Sequence, residues 1–232
     1  MRGMILCLAV MVLGGVARGE VVVYSQTTAN GAQQFSNSSQ KIGQSFTNTS
    51  GQGERVGSVT FGFSVVSGSL SGTASVKIFA TSGSALGYLP SGSVLATSQA
   101  LDLTGFNSTT VTDKTFTFTS GAGLDLNQTY MAQLDISGLS GFGIGNYFNI
   151  HFQGTIPNSP SPLAGLNAYT NTGPSNSDVA QTYQLYGSIA MVPEPGTLLL
   201  GGIAAACGGG GVWWRRKRKA QVAETVETVT AV

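Results

Sequence analysis

Apolar residues at every second position are the feature that most constrains the fold of this 232-residue chain. Val59, Phe61, Phe63 and Val65 alternate with small or polar residues. Because the side chains of an extended strand point to opposite faces in turn, this pattern predicts a strand with one buried face. Further strands are expected at 21–23, 41–47, 76–80, 114–119, 130–136, 148–152 and 182–189.

Strands with one buried and one solvated face are typical of antiparallel sheets. About eight such strands, separated by turns rich in Ser, Gly and Asn, predict an all-β fold: an antiparallel β-sandwich of the jelly-roll type. No stretch between positions 20 and 193 has a convincing period of 3.6 residues, so few helices are expected. The segment 158–177 contains three prolines and is expected to form a long surface loop.

Charged residues make up only 9% of the chain, against roughly 25% in an ordinary globular domain. This composition excludes a coiled coil, a helical bundle and a charged disordered tail. The formal net charge is +1, and five of the eleven basic residues are consecutive, at 215–219. Too few bases remain elsewhere for the basic surface that nucleic acid requires, so no nucleic-acid partner is expected.

The segment 1–19 is expected to be a signal peptide for export. It opens with a basic residue, Arg2, and continues with an uninterrupted apolar run at 4–13. Ala17 and Gly19 supply the small residues that precede a cleavage site, which places the cut between Gly19 and Glu20. The alternatives are a first membrane helix or a short buried helix. A run of ten apolar residues is, however, well short of the roughly 20 needed to span a bilayer.

A second apolar segment, 196–214, carries no charge. At a rise of 1.5 Å per residue it would form a helix of about 28 Å, close to the roughly 30 Å hydrocarbon core of a bilayer. Trp213 and Trp214 take the interfacial position, and the bases that follow mark the cytoplasmic side. The sequence thus predicts one C-terminal transmembrane helix, a basic stop and a short cytoplasmic tail at 220–232. The stop consists of Arg215, Arg216, Lys217, Arg218 and Lys219.

Glycines at 201–202 and 208–211 weaken this predicted helix, because each Gly costs about 1 kcal/mol in helix propensity. Two interpretations remain open. The segment is either an ordinary tail anchor with small residues for helix packing, or a temporary hold that keeps the chain in the membrane until it is cut.

The residues before this segment are Val192, Pro193, Glu194 and Pro195. Two prolines fix φ and remove backbone donors, which keeps such a stretch extended and accessible to an enzyme. The motif, a glycine-rich span and a basic cluster follow one another over 192–219. In this order and spacing they resemble the PEP-CTERM sorting signal of bacterial surface proteins.

The resemblance implies that an exosortase, a membrane enzyme similar to cysteine transpeptidases, recognises the tail. It also implies a role that accompanies exopolysaccharide production. The chain departs from the family because thirteen residues, 220–232, follow the basic cluster where the family usually ends. This extension favours retention of the span.

The exported part also resembles a family, the choice-of-anchor domains, and most closely their type R group. The resemblance covers 24–189 and lies in Gly43-Gln44-Ser45-Phe46, in the strand at 56–65, and in Leu124-Asp125-Leu126 leading to Tyr130. It implies an extracellular β-domain that is carried on interchangeable sorting tails. The resemblance implies no catalytic residue in this chain.

Cysteine and histidine are scarce. Cys7 and Cys207 both lie in the terminal segments, so the domain can form no disulfide, no cysteine-type zinc site and no cysteine nucleophile. His151 is the single histidine, which excludes multi-histidine metal sites and weakens hydrolase templates. It is expected as a surface residue on the polar face of its strand, with ligand contact as the alternative. No cofactor is expected.

The acidic residues of the domain are scattered along the chain. A glycosidase needs two carboxylates that face each other across a cleft, and the sequence does not show whether any two of these acids meet, so solvated or turn-forming roles are expected. A structural calcium site remains an alternative, although the sequence contains no Asp-rich calcium loop. The acids are Glu20, Glu54, Asp102, Asp113, Asp125, Asp135 and Asp178.

Carbohydrate binding is the more attractive positive hypothesis. Sugar sites use exposed aromatic rings together with amide and carboxylate groups. The candidate rings are Tyr88, Tyr147, Tyr169 and Tyr186, which could instead cap the edges of the core.

The sequence therefore predicts a non-enzymatic exported protein with a structural or adhesive role linked to exopolysaccharide. Its expected location is first an inner-membrane-anchored precursor and then the cell surface or extracellular matrix. Its expected partners are an exosortase-type enzyme, the membrane and extracellular polysaccharide. The alternatives are a carbohydrate-binding module and, with less support, a glycan hydrolase.

Overall fold

The computed structural model of the protein describes residues 19–51, 53–83, 87–142, 146–154, 167–171, 179–181 and 183–193. Within these residues there are fifteen β-strands and no helix. The strands are β1 (Val21–Gln26), β2 (Gly31–Phe35), β3 (Lys41–Thr47), β4 (Arg55–Val65), β5 (Ser71–Ser82), β6 (Leu89–Thr97), β7 (Leu101–Asp102), β8 (Thr112–Thr117), β9 (Thr129–Asp135), β10 (Leu139–Ser140), β11 (Phe148–Gln153), β12 (Ala168–Asn171), β13 (Val179–Gln181), β14 (Gln184–Leu185) and β15 (Gly187–Val192).

These strands form two sheets. The first sheet has seven strands in the order β1-β15-β4-β11-β14, with β2 beside β11 and β8 beside β4. The second has eight strands in the order β10-β5-β9-β3-β12-β13, with β6 and β7 beside β5. Every pairing is antiparallel. The prediction of an all-β, antiparallel fold is confirmed.

Alternating apolar residues from both sheets meet in one core. On β4 the predicted set Val59, Phe61, Phe63 and Val65 is fully buried. The Phe63 ring meets Phe148 of β11 edge-on, with centroids 4.7 Å apart. Burying side chains of this size stabilises the fold by about 1.5–3 kcal/mol each. A sandwich-like domain without disulfides can therefore rest on this core.

The strands are more numerous and more broken than predicted. The sequence predicted about eight strands, because segments such as β2 do not alternate between apolar and polar residues. Of the five residues of β2, Phe35 alone is fully buried. The predicted strand at 182–189 is interrupted at Tyr186 and continues to Val192. The prediction of a surface loop over 158–177 is wrong for residues 167–170, which are buried and lead into or form β12.

The expectation of one solvated face per strand is also wrong in the middle of each sheet. On β9, Met131 and Gln133 are buried although they point away from the core. On β4, Gly62 lies beneath Tyr186, whose ring occupies the space that a Cβ atom at Gly62 would need. Central strands are covered on both faces because neighbouring side chains fold over them.

The two sheets are joined at the segment 183–185, which we call the corner segment. Its Tyr183 carbonyl accepts a backbone hydrogen bond from Ala168 of the second sheet, at 2.9 Å. The Leu185 N–H donates to the Gln44 side-chain oxygen, also from the second sheet, at 2.8 Å. The Leu185 carbonyl accepts a hydrogen bond from the Tyr24 hydroxyl of β1. The backbone N–H and carbonyl of Leu185 are thus hydrogen-bonded to side chains from both sheets.

Residues Glu20–Val192 form one compact unit. Its first and last strands pair, with Val21 opposite Met191, so the chain enters and leaves the domain at the same place. No helix of the described residues is long and apolar enough to cross a bilayer. The predicted membrane helix at 196–214 lies outside those residues.

Replacing Gln44 with Leu will destabilise the domain, because the buried Leu185 N–H loses its acceptor. An unpaired buried donor costs about 1–3 kcal/mol, and each kcal/mol lowers the Tm of a domain of this size by roughly 2–4 °C. The same change at Gln34, which is exposed on β2, is the matched control. Thermal unfolding of the full chain in detergent, followed by near-ultraviolet circular dichroism, measures both. An equal Tm for the two variants contradicts this role of Gln44.

Candidate functional site

The predicted processing residues lie at the ends of the described chain. Gly19 and Glu20 are exposed, and the Glu20 carboxylate accepts a hydrogen bond from the Ser58 hydroxyl at 2.6 Å. Val192 is the last residue of β15, opposite Arg55, and Pro193 follows the strand. Outside the described residues lie Glu194, Pro195, Trp213, Trp214, Arg215, Arg216, Lys217, Arg218 and Lys219.

The four candidate tyrosines do not form one exposed aromatic surface. Tyr88, Tyr147 and Tyr186 are half-buried and lie in three separate connections, immediately before β6, β11 and β15. Tyr169 is fully buried, so the prediction of an exposed ring there is wrong. Of the four, Tyr169 borders the cleft described next, and it contributes to the floor of that cleft.

A cleft of about 560 Å³ opens on the outer face of the second sheet, and we call it the outer cleft. Strands β3, β5, β9 and β12 supply its floor through side chains that point away from the core. The floor residues are Lys41, Lys77, Phe79, Gln133, Asp135 and Tyr169.

Strand register brings these floor residues together. Gly43 of β3 is opposite Gln133 of β9, which in turn is opposite Lys77 of β5. Two residues after Lys77 on β5, Phe79 is opposite Met131 of β9. Because alternate residues share a face, each of these side chains points outward while its neighbours in sequence enter the core.

Irregular strand β6 forms one wall of the outer cleft. Phe79 is paired with Val94, but the next residue of β5 is paired with Ser91, so β6 carries extra residues between these partners. Gly92, within this bulge, has a φ of 73°, a conformation that glycine adopts without strain. Bulges redirect a strand locally. The bulge thus shapes the wall formed by Pro90, Gly92 and Val94.

The floor is fixed by close packing at Gly43. A Cβ atom there would lie 3.1 Å from the Tyr169 ring atom Cδ1 and 2.9 Å from the Ala132 carbonyl oxygen. The missing side chain therefore makes room for the Tyr169 ring. The Tyr169 hydroxyl donates to Gln133 Oε1 at 3.3 Å, which orients the amide of Gln133 at the cleft.

An ion pair crosses the floor. Lys77 Nζ is 2.5 Å from Asp135 Oδ2, and the two side chains are 34% and 19% exposed. Burial raises the pKa of Asp135, but hydrogen bonds from Lys77 and Ser137 and the charge of Lys77 outweigh it, so the pKa is lowered overall. Lys41 also lines the cleft, and among the described residues it forms no ion pair.

Sequence reasoning missed a second polar constellation, on the outer face of the first sheet. His151 Nε2 and the Ser64 hydroxyl are hydrogen-bonded at 2.9 Å, and the Asn149 amide donates to the same hydroxyl at 3.3 Å. His151 is half-buried rather than a free surface residue, and burial lowers its pKa. Ser64 is only 2% exposed, so its hydroxyl cannot approach a substrate as a nucleophile does.

The remaining acidic residues are dispersed. Asp135 is the acidic residue that lines the outer cleft, whereas Glu54 is buried beside Gly51. Asp178 lies outside the described residues. Within the described part of the chain, no group of three or more His, Cys, Asp or Glu side chains could hold a metal ion.

No protein-family model matches this chain, and no curated protein matches it. Among solved structures, an arabinose-bound α-L-arabinofuranosidase is similar, with a TM-score of 0.27 and 16% sequence identity. The similarity covers 70% of this chain and 28% of the enzyme's chain, so this chain spans under a third of that enzyme's length. At this TM-score the similarity carries no argument.

The ion pair predicts a specific acid sensitivity. Because the folded-state pKa of Asp135 is lowered, its ionisation stabilises the fold fully above its unfolded pKa of about 3.9 and no longer does so once pH falls below the folded value. Asp135→Asn will therefore flatten the loss of Tm between about pH 5 and pH 3.

Lys77→Met removes the basic member of the Lys77–Asp135 ion pair and provides a second variant for this test. Thermal unfolding across this pH range will give a slope shallower than that of the wild type for both single variants, and the double variant will have the slope of Asp135→Asn, because the titrating carboxylate is absent from both. A wild-type slope in both single variants would refute the contribution of this pair.

Proposed function

We propose that this chain is an exported, non-enzymatic surface protein whose β-sandwich binds extracellular polysaccharide in the outer cleft. The observation that carries the proposal is the combination of one aromatic ring, an oriented amide and charged groups on a single rigid floor. Polysaccharides present apolar ring faces with hydroxyls at their rims, and such a floor complements both.

Each floor residue has a defined part in this binding. Phe79, half-buried on β5, offers an apolar surface on which a sugar ring stacks. The amide of Gln133 can donate to a sugar hydroxyl while its oxygen accepts from Tyr169. Lys77 and Asp135 are partly exposed, so a donor and an acceptor for hydroxyls remain at the surface. The cleft volume of about 560 Å³ is within the range of small-ligand sites.

The proposal includes no catalysis. Glycoside hydrolysis uses two carboxyl groups on opposite sides of the scissile bond, whereas among the described residues Asp135 is the one acidic residue at the outer cleft. The Ser64–His151 pair supports no hydrolase either, because Ser64 is buried. We therefore favour a role in adhesion or in the structure of the matrix.

Topology supports the finer part of the fold proposal, a sandwich of the jelly-roll type. Strands β3, β4, β5, β8, β9 and β11 alternate between the second and the first sheet, and β6 and β7 follow β5 within the second sheet. Such alternation is what two interlocked Greek keys produce. A structural resemblance to the choice-of-anchor domains remains part of this proposal.

We also propose that the termini direct the protein to the surface. In this proposal 1–19 is removed after Gly19, 196–214 crosses the inner membrane once, 215–219 stops transfer, and 220–232 lies in the cytoplasm. An exosortase-type enzyme would act at 192–195, the PEP-CTERM-like motif. Support comes from the sequence and from β15, which ends at Val192, immediately before the motif's first proline.

Phe79→Ala will weaken polysaccharide binding roughly three- to tenfold, about 0.7–1.4 kcal/mol, because the stacking surface is lost. Biolayer interferometry of the full chain in detergent, over immobilised alginate, xanthan and dextran, measures this loss. Tyr147→Ala, which removes a half-buried ring on the first sheet, is the matched control and will bind as the wild type does. Absence of binding to any of the three glycans, or an equal loss in both variants, would sink the proposal.

Replacing Pro193, Glu194 and Pro195 by alanine will leave a membrane-retained precursor, because the extended recognition segment is lost. Mass spectrometry of membrane and surface fractions will find Trp213 and Trp214 in the variant and not in the wild-type surface form. Exchange of Glu224 and Glu227 for alanine, beyond the motif, is the control and will not change processing. A wild-type surface form that still carries the tail would show that no sorting enzyme removes it.

A further inference from the structure

We infer that the polysaccharide bound in the outer cleft is acidic, and that the Lys41 ammonium group contacts its uronate carboxylates. The inference rests on the proposed binding function and names the class of glycan. It comes from the distribution of charge over the domain and from the position of Lys41 at the cleft.

Positive charge is concentrated at the outer cleft although the domain as a whole is acidic. Residues 20–192 contain four basic and seven acidic side chains. Two of the four bases, Lys41 and Lys77, line the cleft, whereas Asp135 is the single acid that does so in the part of the chain that the structure describes. In physiological salt, charges more than about 8 Å away are largely screened, so a ligand in the cleft experiences the local excess of positive charge.

The excess positive charge at the cleft is that of Lys41. Strand register places Ile42 opposite Leu134, so Lys41 and Asp135 are neighbours across β3 and β9. Asp135 is already engaged with Lys77 at 2.5 Å. One carboxylate cannot neutralise two ammonium groups, and Lys41 is exposed at the start of β3. An anion from a ligand would complete this set of charges.

The spacing within the cleft favours a polymer. On β3, Lys41 lies four residues from Ser45, and Ser45 is in register with Met131 and, beyond it, with Phe79. At about 3.4 Å per residue and about 4.8 Å per strand, Lys41 and Phe79 are some 16–17 Å apart along the sheet. A ring stacked on Phe79 and a carboxylate at Lys41 therefore belong to different sugar units of one chain.

The test compares alginate with its carboxyl-reduced derivative, which keeps the chain but loses the negative charges. We expect the full-length wild type in detergent to bind alginate about tenfold more tightly than reduced alginate, and the preference to decrease as NaCl is raised. In Lys41→Gln the ratio of the two affinities will fall toward one. Lys114→Gln is the control, since Lys114 lies over the Phe106 ring on another part of the domain and will keep the ratio.

The outcomes separate this inference from the proposed function. Equal wild-type affinity for both glycans, with loss of both in Phe79→Ala, overturns the acidic preference and leaves polysaccharide binding intact. An equal fall in the ratio for Lys41→Gln and Lys114→Gln also overturns it, because the preference would then come from net charge. Failure of the wild type to bind alginate, reduced alginate, xanthan and dextran overturns the proposed function as well.

Discussion

The backbone of Leu185 is the point on which the arrangement of the two sheets depends. It lies where the chain turns from β14 into β15, and its N–H and carbonyl are satisfied by Gln44 and Tyr24. A buried peptide cannot be left without partners, so these side chains fix how the first sheet meets the second. Gln44 also donates to the Asn167 carbonyl at 3.3 Å, which extends the link to the start of β12.

This link also positions the floor of the outer cleft. Asn167 is held to β3 because its backbone N–H donates to the Ser45 hydroxyl at 2.7 Å. Two residues later, Tyr169 is thereby placed over Gly43, and its hydroxyl reaches Gln133. The polar bonds that join the sheets thus continue into the surface that we assign to ligand binding, and the floor gains rigidity from the core beneath it. A preorganised floor reduces the entropy lost when a ligand binds.

The sequence predicted what depends on local alternation. The buried set on β4 was correct, and a strand was predicted near Lys41–Thr47, where β3 lies. Coverage of the outer faces was not predictable, because it depends on pairing between segments far apart, such as Gly43 and Tyr169. The cleft could not be predicted for the same reason: Lys41, Lys77 and Asp135 share a surface only through the register of three strands.

The charges of the outer cleft have a consequence for the free and the bound domain. Lys41 and Lys77 line the same cleft, where Lys77 is paired with Asp135. A ligand that binds the folded state and not the unfolded chain stabilises the fold, and the ligand that we propose for this cleft is anionic. The core of the domain is formed by apolar side chains, whereas these charged groups lie at the cleft on its outer face. In the complex that we propose, the Lys41 ammonium group gains an anionic partner.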